Sequence, residues 1–181
     1  MIYFFVIMTA ENTLAAGYKN EIRGFARLVF EKTAAHYGGR LVSFVIFGSV
    51  ARDLPRPDSD IDILIVANDL PRGRMPRVNE FTASVERTLE ADMRGLRIGK
   101  GINTELSPVF KTPAEVEAGS PLFLDMTLDA WILYDRDGFC GKYLDSLTRK
   151  LARLGSRRVM RGGGWYWLLK PDYRPGDVIE L

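Results

Sequence analysis

The stretch FVIFGSVARDLPRPDSDIDILIV, residues 44–66, decides how the whole chain is read. An apolar run ends in Gly48-Ser49, ten residues follow, and Asp60 and Asp62 stand one residue apart at the mouth of a second apolar run. Short runs of Val, Ile and Phe bounded by turn residues predict buried strands. Two aspartates at i and i+2 on a strand point to the same face. Ionised at ~4 Å, with an effective dielectric of ~20, they repel by about 4 kcal/mol. A divalent cation removes that repulsion and holds both groups ionised. Gly48 lets an anion approach the backbone, and Ser49 opens a short helix whose first N–H groups lack partners. Arg52, one turn on, can add a bidentate contact to phosphate. A lone Asp-x-Asp is usually two surface acids at a strand entrance. With Gly48-Ser49 at this spacing, the pattern instead describes a triphosphate held beside a metal, and in-line displacement at phosphorus.

FGSVAR followed by SDIDILIV resembles the minimal nucleotidyltransferase family of the polymerase-β-like superfamily, whose signature is Gly-Ser, ten residues, Asp-x-Asp. The likeness covers roughly Leu14 to Phe110. It implies an α/β (α+β) nucleotidyltransferase fold, a mixed β-sheet flanked by helices. It also implies Mg²⁺ (or Mn²⁺), an NTP donor, often ATP, and transfer of a nucleoside monophosphate to a hydroxyl. By the resemblance, Gly48 and Ser49 bind nucleotide, with Arg52 added to them by its position one turn on, while Asp60 and Asp62 are catalytic metal ligands. A third carboxylate, most often Asp, belongs on a neighbouring strand as metal bridge and general base. The expected strand Asn103–Phe110 has no Asp, so Glu105 takes the role here, with Asp129 as fallback. Glu is longer than Asp by one methylene. The alternative is an antitoxin-like or regulatory protein that binds nucleotide with little or no turnover, paired with a helical partner of the HEPN type.

Composition narrows the chemistry. One cysteine, Cys140, forms no intrachain disulfide, and a reduced cytoplasmic setting follows. One histidine, His36, excludes a multi-His zinc site and leaves carboxylates as metal ligands. His36, in the last turn of a helix, has a structural role. A net charge of +2 points to neither nucleic acid nor membrane as a whole-molecule partner. No run approaches the ~20 apolar residues of a membrane span. The apolar MIYFFVIM is either a short strand or sequence upstream of a true start at Met8, the second being preferred.

Three- and four-residue spacing of Leu14, Tyr18, Ile22, Phe25, Ala26, Val29 and Phe30 predicts a helix over 13–37, stopped by Gly38-Gly39. Strands follow at 41–47 and 61–66, with one or two helical turns between them. A single helix is expected over 78–94, then a loop around Gly95, Gly99 and Gly101, then the edge strand 103–110. Thr112-Pro113-Ala114-Glu115 is a capped helix start. A helix over 121–130, a short β-prone segment at 132–134, a turn at Asp135-Arg136-Asp137-Gly138 and a helix over 139–154 complete the regular part. The nucleotidyltransferase core is placed at 11–111, and 112–181 is expected as a C-terminal helical and aromatic extension packed on it. Residues 149–161 carry six basic side chains and no acid, and Trp165, Tyr166 and Trp167 follow. Such a patch can bind nucleic acid or an acidic acceptor. The preferred reading is a solvated helix face with aromatics packed over the core.

Overall fold

The computed structural model describes residues 10–174 and 177–179, with side-chain surroundings from residue 17 onward. The apolar octet at the N-terminus and the side chain of Leu14 lie outside the described residues.

The first apolar runs form the centre of one sheet. β1 (Leu41–Phe47) and β2 (Ile61–Ala67) pair antiparallel, with Phe47 opposite Asp62. β3 (Leu106–Lys111) lies parallel to β2, and β4 (Trp131–Asp135) antiparallel to β1. The order β3-β2-β1-β4 is a mixed sheet, as the resemblance implies. Both faces of β1 and β2 are covered, which is why their sequences are apolar at nearly every position. Phe44, Ile46, Ile61, Ile63 and Ile65 face helices on one side; Val45, Leu64 and Val66 face the other. A shift in register between Leu41 and Ser43 puts Leu41 on the same face as Phe44 and Ile46.

α1 (Ala10–Tyr37) covers the first face with Ile22, Phe25, Ala26 and Val29. The helix expected over 78–94 is two helices, α3 (Arg74–Ser84) and α4 (Glu90–Lys100). The turn at Glu86–Leu89 re-aims the chain so that Phe81, Val85 and Leu89 all enter one core. Gly95 and Gly99 lie inside α4, and only Gly101 breaks it, in the left-handed conformation. The loop expected there is therefore helix. β3 starts three residues later than the alternation suggests. The Asn103 N–H donates to Pro57 O at 2.7 Å and the Thr104 hydroxyl to Ser59 O at 2.7 Å, which ties this segment to the loop before β2.

The second face is covered by α5 (Pro113–Glu117), α6 (Leu122–Met126) and α7 (Phe139–Arg153). Val116, Phe123, Met126, Leu144, Leu147 and Leu151 fill this layer. The boundary expected at residue 112 is crossed by the sheet itself, because β4 lies beyond it and pairs with β1. Asp135 at the end of β4 accepts from the amides of Cys140 and Gly141, both at 2.9 Å, and so caps α7. His36 meets Glu80 at 2.9 Å, and Arg40 donates to the same oxygen at 2.8 Å. Beyond α7 a hairpin not anticipated from the sequence, β5 (Arg157–Arg161) and β6 (Gly164–Leu168), turns through Gly162-Gly163, both at positive φ. Two glycines between β-prone runs are the signal for it. Among the described residues no helix is long and apolar enough to cross a membrane.

α3 is joined to β3 and α5 by charge. The guanidinium of the nearly buried Arg77 donates to both oxygens of Glu115, at 2.7 and 3.0 Å, and to Pro71 O at 2.7 Å. Glu115 also closes the capping box with Thr112. Removing Glu115 strands a buried charge. Glu115→Ala should therefore cost about 2–3 kcal/mol in urea unfolding, and a loss under about 1 kcal/mol would show that solvent already screens Arg77. Because Arg77 holds the Glu115 carboxyl below its usual range, that contribution is present above the unfolded-state pKa and fades as pH falls through the folded one.

Candidate functional site

β1 ends where Gly48 adopts φ +69°. The chain then turns into the single-turn helix α2 (Gly48–Ala51). A left-handed residue favours glycine for its backbone alone. Space requires it as well: a Cβ on Gly48 would lie 2.0 Å from Oδ2 of Asp62 and 2.9 Å from its Cγ. The register explains this approach, since Phe47 is paired with Asp62 and the next residue must pass the carboxylate. Gly48 and Asp62, fourteen positions apart in sequence, thus form one contact. Asp60 stands exposed just before β2. Burial pushes the Asp62 carboxyl above its ordinary range, Asp60 adds to that push, and Arg52 opposes it. Asp60, Asp62, Gly48 and Arg52 therefore share one electrostatic neighbourhood.

α2 is held from below. Asp53, at positive φ just after it, takes ion pairs from Lys19 at 2.7 Å and Arg23 at 2.8 Å, both on α1. Val50 is wholly buried in the first core. The loop carrying Ser49 and Arg52 is consequently pinned at both its apolar and its charged residues.

Glu105 lies one residue before β3, and its carbonyl accepts the Ile61 N–H at 2.8 Å. The ladder starts at Ile61 and Leu106 and places Ser107 beside Asp62. Glu105 is therefore level with Asp60 at the strand mouth, with an exposed side chain. It also lines an open groove with Glu90, Arg94 and Arg97. Among the described residues, no three acid, His or Cys side chains converge closely enough to hold a metal ion between them. Asp60 and Asp62 are brought together; Glu105 is near the pair in register but does not close a triad with it. Asp129 is committed elsewhere, accepting from Arg158 at 2.6 Å.

The C-terminal hairpin reaches this neighbourhood. The Arg52 guanidinium carbon lies 4.9 Å from the centre of the Trp165 ring, and that of Arg158 5.0 Å from it. The indole N–H groups of Trp165 and Trp167 both donate to Asp125 Oδ1, at 2.9 and 2.8 Å. Of the three aromatics expected over the core, Trp167 packs on the second core, Tyr166 is exposed and Trp165 lies under two guanidiniums, while Arg158 is ion-paired rather than a solvated cation. Buried Cys140, its thiol pushed up to about 12 by burial, is a packing residue.

The sequence profile of the nucleotidyltransferase domain family matches residues 29–116. A candidate protein adenylyltransferase of Methanocaldococcus jannaschii is 32% identical over 126 residues, which cover 68% of this chain and 79% of that protein. Among solved structures, a MntA–HpeT toxin–antitoxin complex matches with 16% identity and a TM-score of 0.41, over 70% of this chain and 89% of that one. A tri-AMPylated Shewanella oneidensis HEPN toxin bound to its MNT antitoxin matches with 15% identity and a TM-score of 0.34, over 78% and 92%. Superpositions this loose fix no detail of geometry.

Two outcomes test the Gly48–Asp62 contact. Gly48→Ala should cost about 2–4 kcal/mol, from left-handed strain plus displacement of Asp62, and Gly48→Ala/Asp62→Ala should recover the second part. Additive losses in urea unfolding would show that the two residues do not press on each other. A carboxyl whose folded pKa is raised opposes folding at neutral pH, and that opposition disappears as pH falls through the folded pKa. Asp62→Asn should therefore be more stable than the wild type at pH 7, with the gap closing on acidification.

Proposed function

We propose, because this chain belongs to the nucleotidyltransferase family and is itself a nucleotidyltransferase, that it moves a nucleoside monophosphate from an NTP, read as ATP, to a hydroxyl acceptor. The observation that carries this reading is the carboxylate of Asp62 pressed against the bare Cα of Gly48, with Asp60 beside it and Arg52 within electrostatic reach.

The residues fit a divalent cation. The donors are carboxylate oxygens, the set that suits Mg²⁺ or Mn²⁺. Burial, and then Asp60, disfavour the ionised form of Asp62 by more than Arg52 supports it, and a bound cation would offset both. Asp60 and Asp62 would hold the ion, and Glu105, level with Asp60 at the mouth of β3, is the proposed third carboxylate. Bound there, the ion would supply Lewis-acid neutralisation of the phosphates and of the departing pyrophosphate. The chain's own groups do the rest. The first amides of α2 and the Ser49 hydroxyl point donors at phosphate oxygens. Arg52 adds a charged fork. The acceptor oxygen bonds to the α-phosphorus, the bond to the bridging oxygen breaks, and pyrophosphate carries away the electron pair. The acceptor's proton passes to Glu105 or to water. Given the name of the M. jannaschii relative, we read the acceptor as a hydroxyl on a protein.

Labelling tests this. Protein incubated with Mg²⁺, α-labelled ATP and cell extract should label a macromolecule, and Asp60→Asn/Asp62→Asn should reduce the rate by about a hundredfold or more. Mg²⁺ should raise the melting temperature of the wild type and leave that of the double variant unmoved. Glu105→Gln should lower kcat by about a hundredfold, and an unchanged rate would remove Glu105 from the chemistry. No label in any arm, together with a helical protein that co-purifies, would favour the antitoxin-like alternative over transfer.

A further inference from the structure

Arg52 is a half-buried residue at the end of a one-turn helix, and the exposed Asp53 and Leu54 follow it. An arginine so placed samples many rotamers, and ordering it on a phosphate carries an entropic cost. In this structure the side chain is already laid over the face of Trp165, at 4.9 Å from the ring centre. That indole is itself held. Its N–H donates to Asp125 at 2.9 Å, Trp167 donates to the same oxygen, and Met160 is its partner across the hairpin. A second guanidinium, Arg158, lies over the same ring and is anchored by Asp129. Nothing in the motif around Gly48 requires an aromatic more than a hundred residues downstream.

We infer that Trp165 is a positioning residue for the nucleotide: the β5–β6 hairpin presents its ring so that Arg52 is pre-set over the candidate phosphate site before the triphosphate arrives. The inference rests on the reading of Arg52 as a phosphate ligand. The π-face attracts the guanidinium without consuming its N–H donors, which stay free for phosphate oxygens. Arg158 also lies over this ring, at 5.0 Å from its centre, so the indole is held by a second cation that is itself ion-paired to Asp129. Asp125 and Asp129 link this arrangement to α6 and the segment after it, so the C-terminal part of the chain sets the affinity of a site whose motif lies near the N-terminal end.

The test is a binding cycle with α,β-methylene ATP and Mg²⁺, read by calorimetry so that turnover plays no part. Trp165→Leu, apolar but without a π-face, should weaken binding about five- to tenfold, and Trp165→Phe should stay within about twofold of the wild type. Arg52→Ala should weaken binding about tenfold or more. The double variant Arg52→Ala/Trp165→Leu should bind no more weakly than Arg52→Ala alone. Melting temperatures are compared in parallel, and where Trp165→Leu does not fold, Trp165→Met takes its place with the same outcomes. If Trp165→Leu binds like the wild type, or if the two losses multiply, the positioning role is overturned while Arg52 keeps its place. If Arg52→Ala binds like the wild type, the phosphate reading of Arg52 fails first, and the inference with it.

Discussion

The carboxylate of Asp62 lies where a side chain on the residue after Phe47 would have to be. That one approach constrains much of the molecule. It requires glycine at 48, it requires β1 and β2 to be paired in this register, and it leaves Asp62 half-buried beside Asp60. A carboxylate in that position opposes folding at neutral pH, so the fold must be held by other contacts. The two apolar layers on either side of the sheet supply them, with Ile61, Ile63 and Ile65 on one face and Leu64 and Val66 on the other. The strand that carries the least comfortable charge is thereby buried at every position but Asp62 itself.

The loop opposite is fixed by different means. Asp53 is tied to Lys19 and Arg23 of α1, and Arg23 also lies over Trp131 at 4.5 Å. Ion pairs this exposed contribute little to global stability, but they choose one conformation for a short turn. On the far side, Arg77 and Glu115 join α3 to α5 across β3. The loop at α2 is braced beside the candidate site, whereas the Arg77–Glu115 pair braces the Phe110 end of β3, away from the Leu106 end where Glu105 and the aspartates stand.

The local pattern of residues 41–67 was readable because each property depends on near neighbours. Strand propensity, the glycine break and the shared face of Asp60 and Asp62 are all set within a few residues. The same holds for the capping box at Thr112 and the end of α1 at Tyr37. Less was readable where local signals competed. Val78 to Arg94 carries a continuous four-residue spacing, yet the chain is broken by the turn at Glu86–Leu89 so that all three apolar residues reach one core. Gly95 and Gly99 suggested a loop, but a glycine costs a helix only about 1 kcal/mol and neighbours can offset it. Gly162-Gly163 did carry a hairpin signal, hidden among basic residues that suggested a solvated face.

The sequence by itself determined that a glycine turn and two acids lie at the ends of two adjacent buried strands, because alternation and chain breaks are local. It also set the available chemistry, because one histidine and one cysteine leave only carboxylates for a hard metal ion. Only the tertiary structure decided that Ser107 is the neighbour of Asp62 across β3, that Asp129 is engaged by Arg158, and that Trp165 carries Arg52. Those contacts join residues 29 to 113 positions apart. Parallel strand register and hairpin docking are settled by how the layers pack, and no spacing along the chain encodes them.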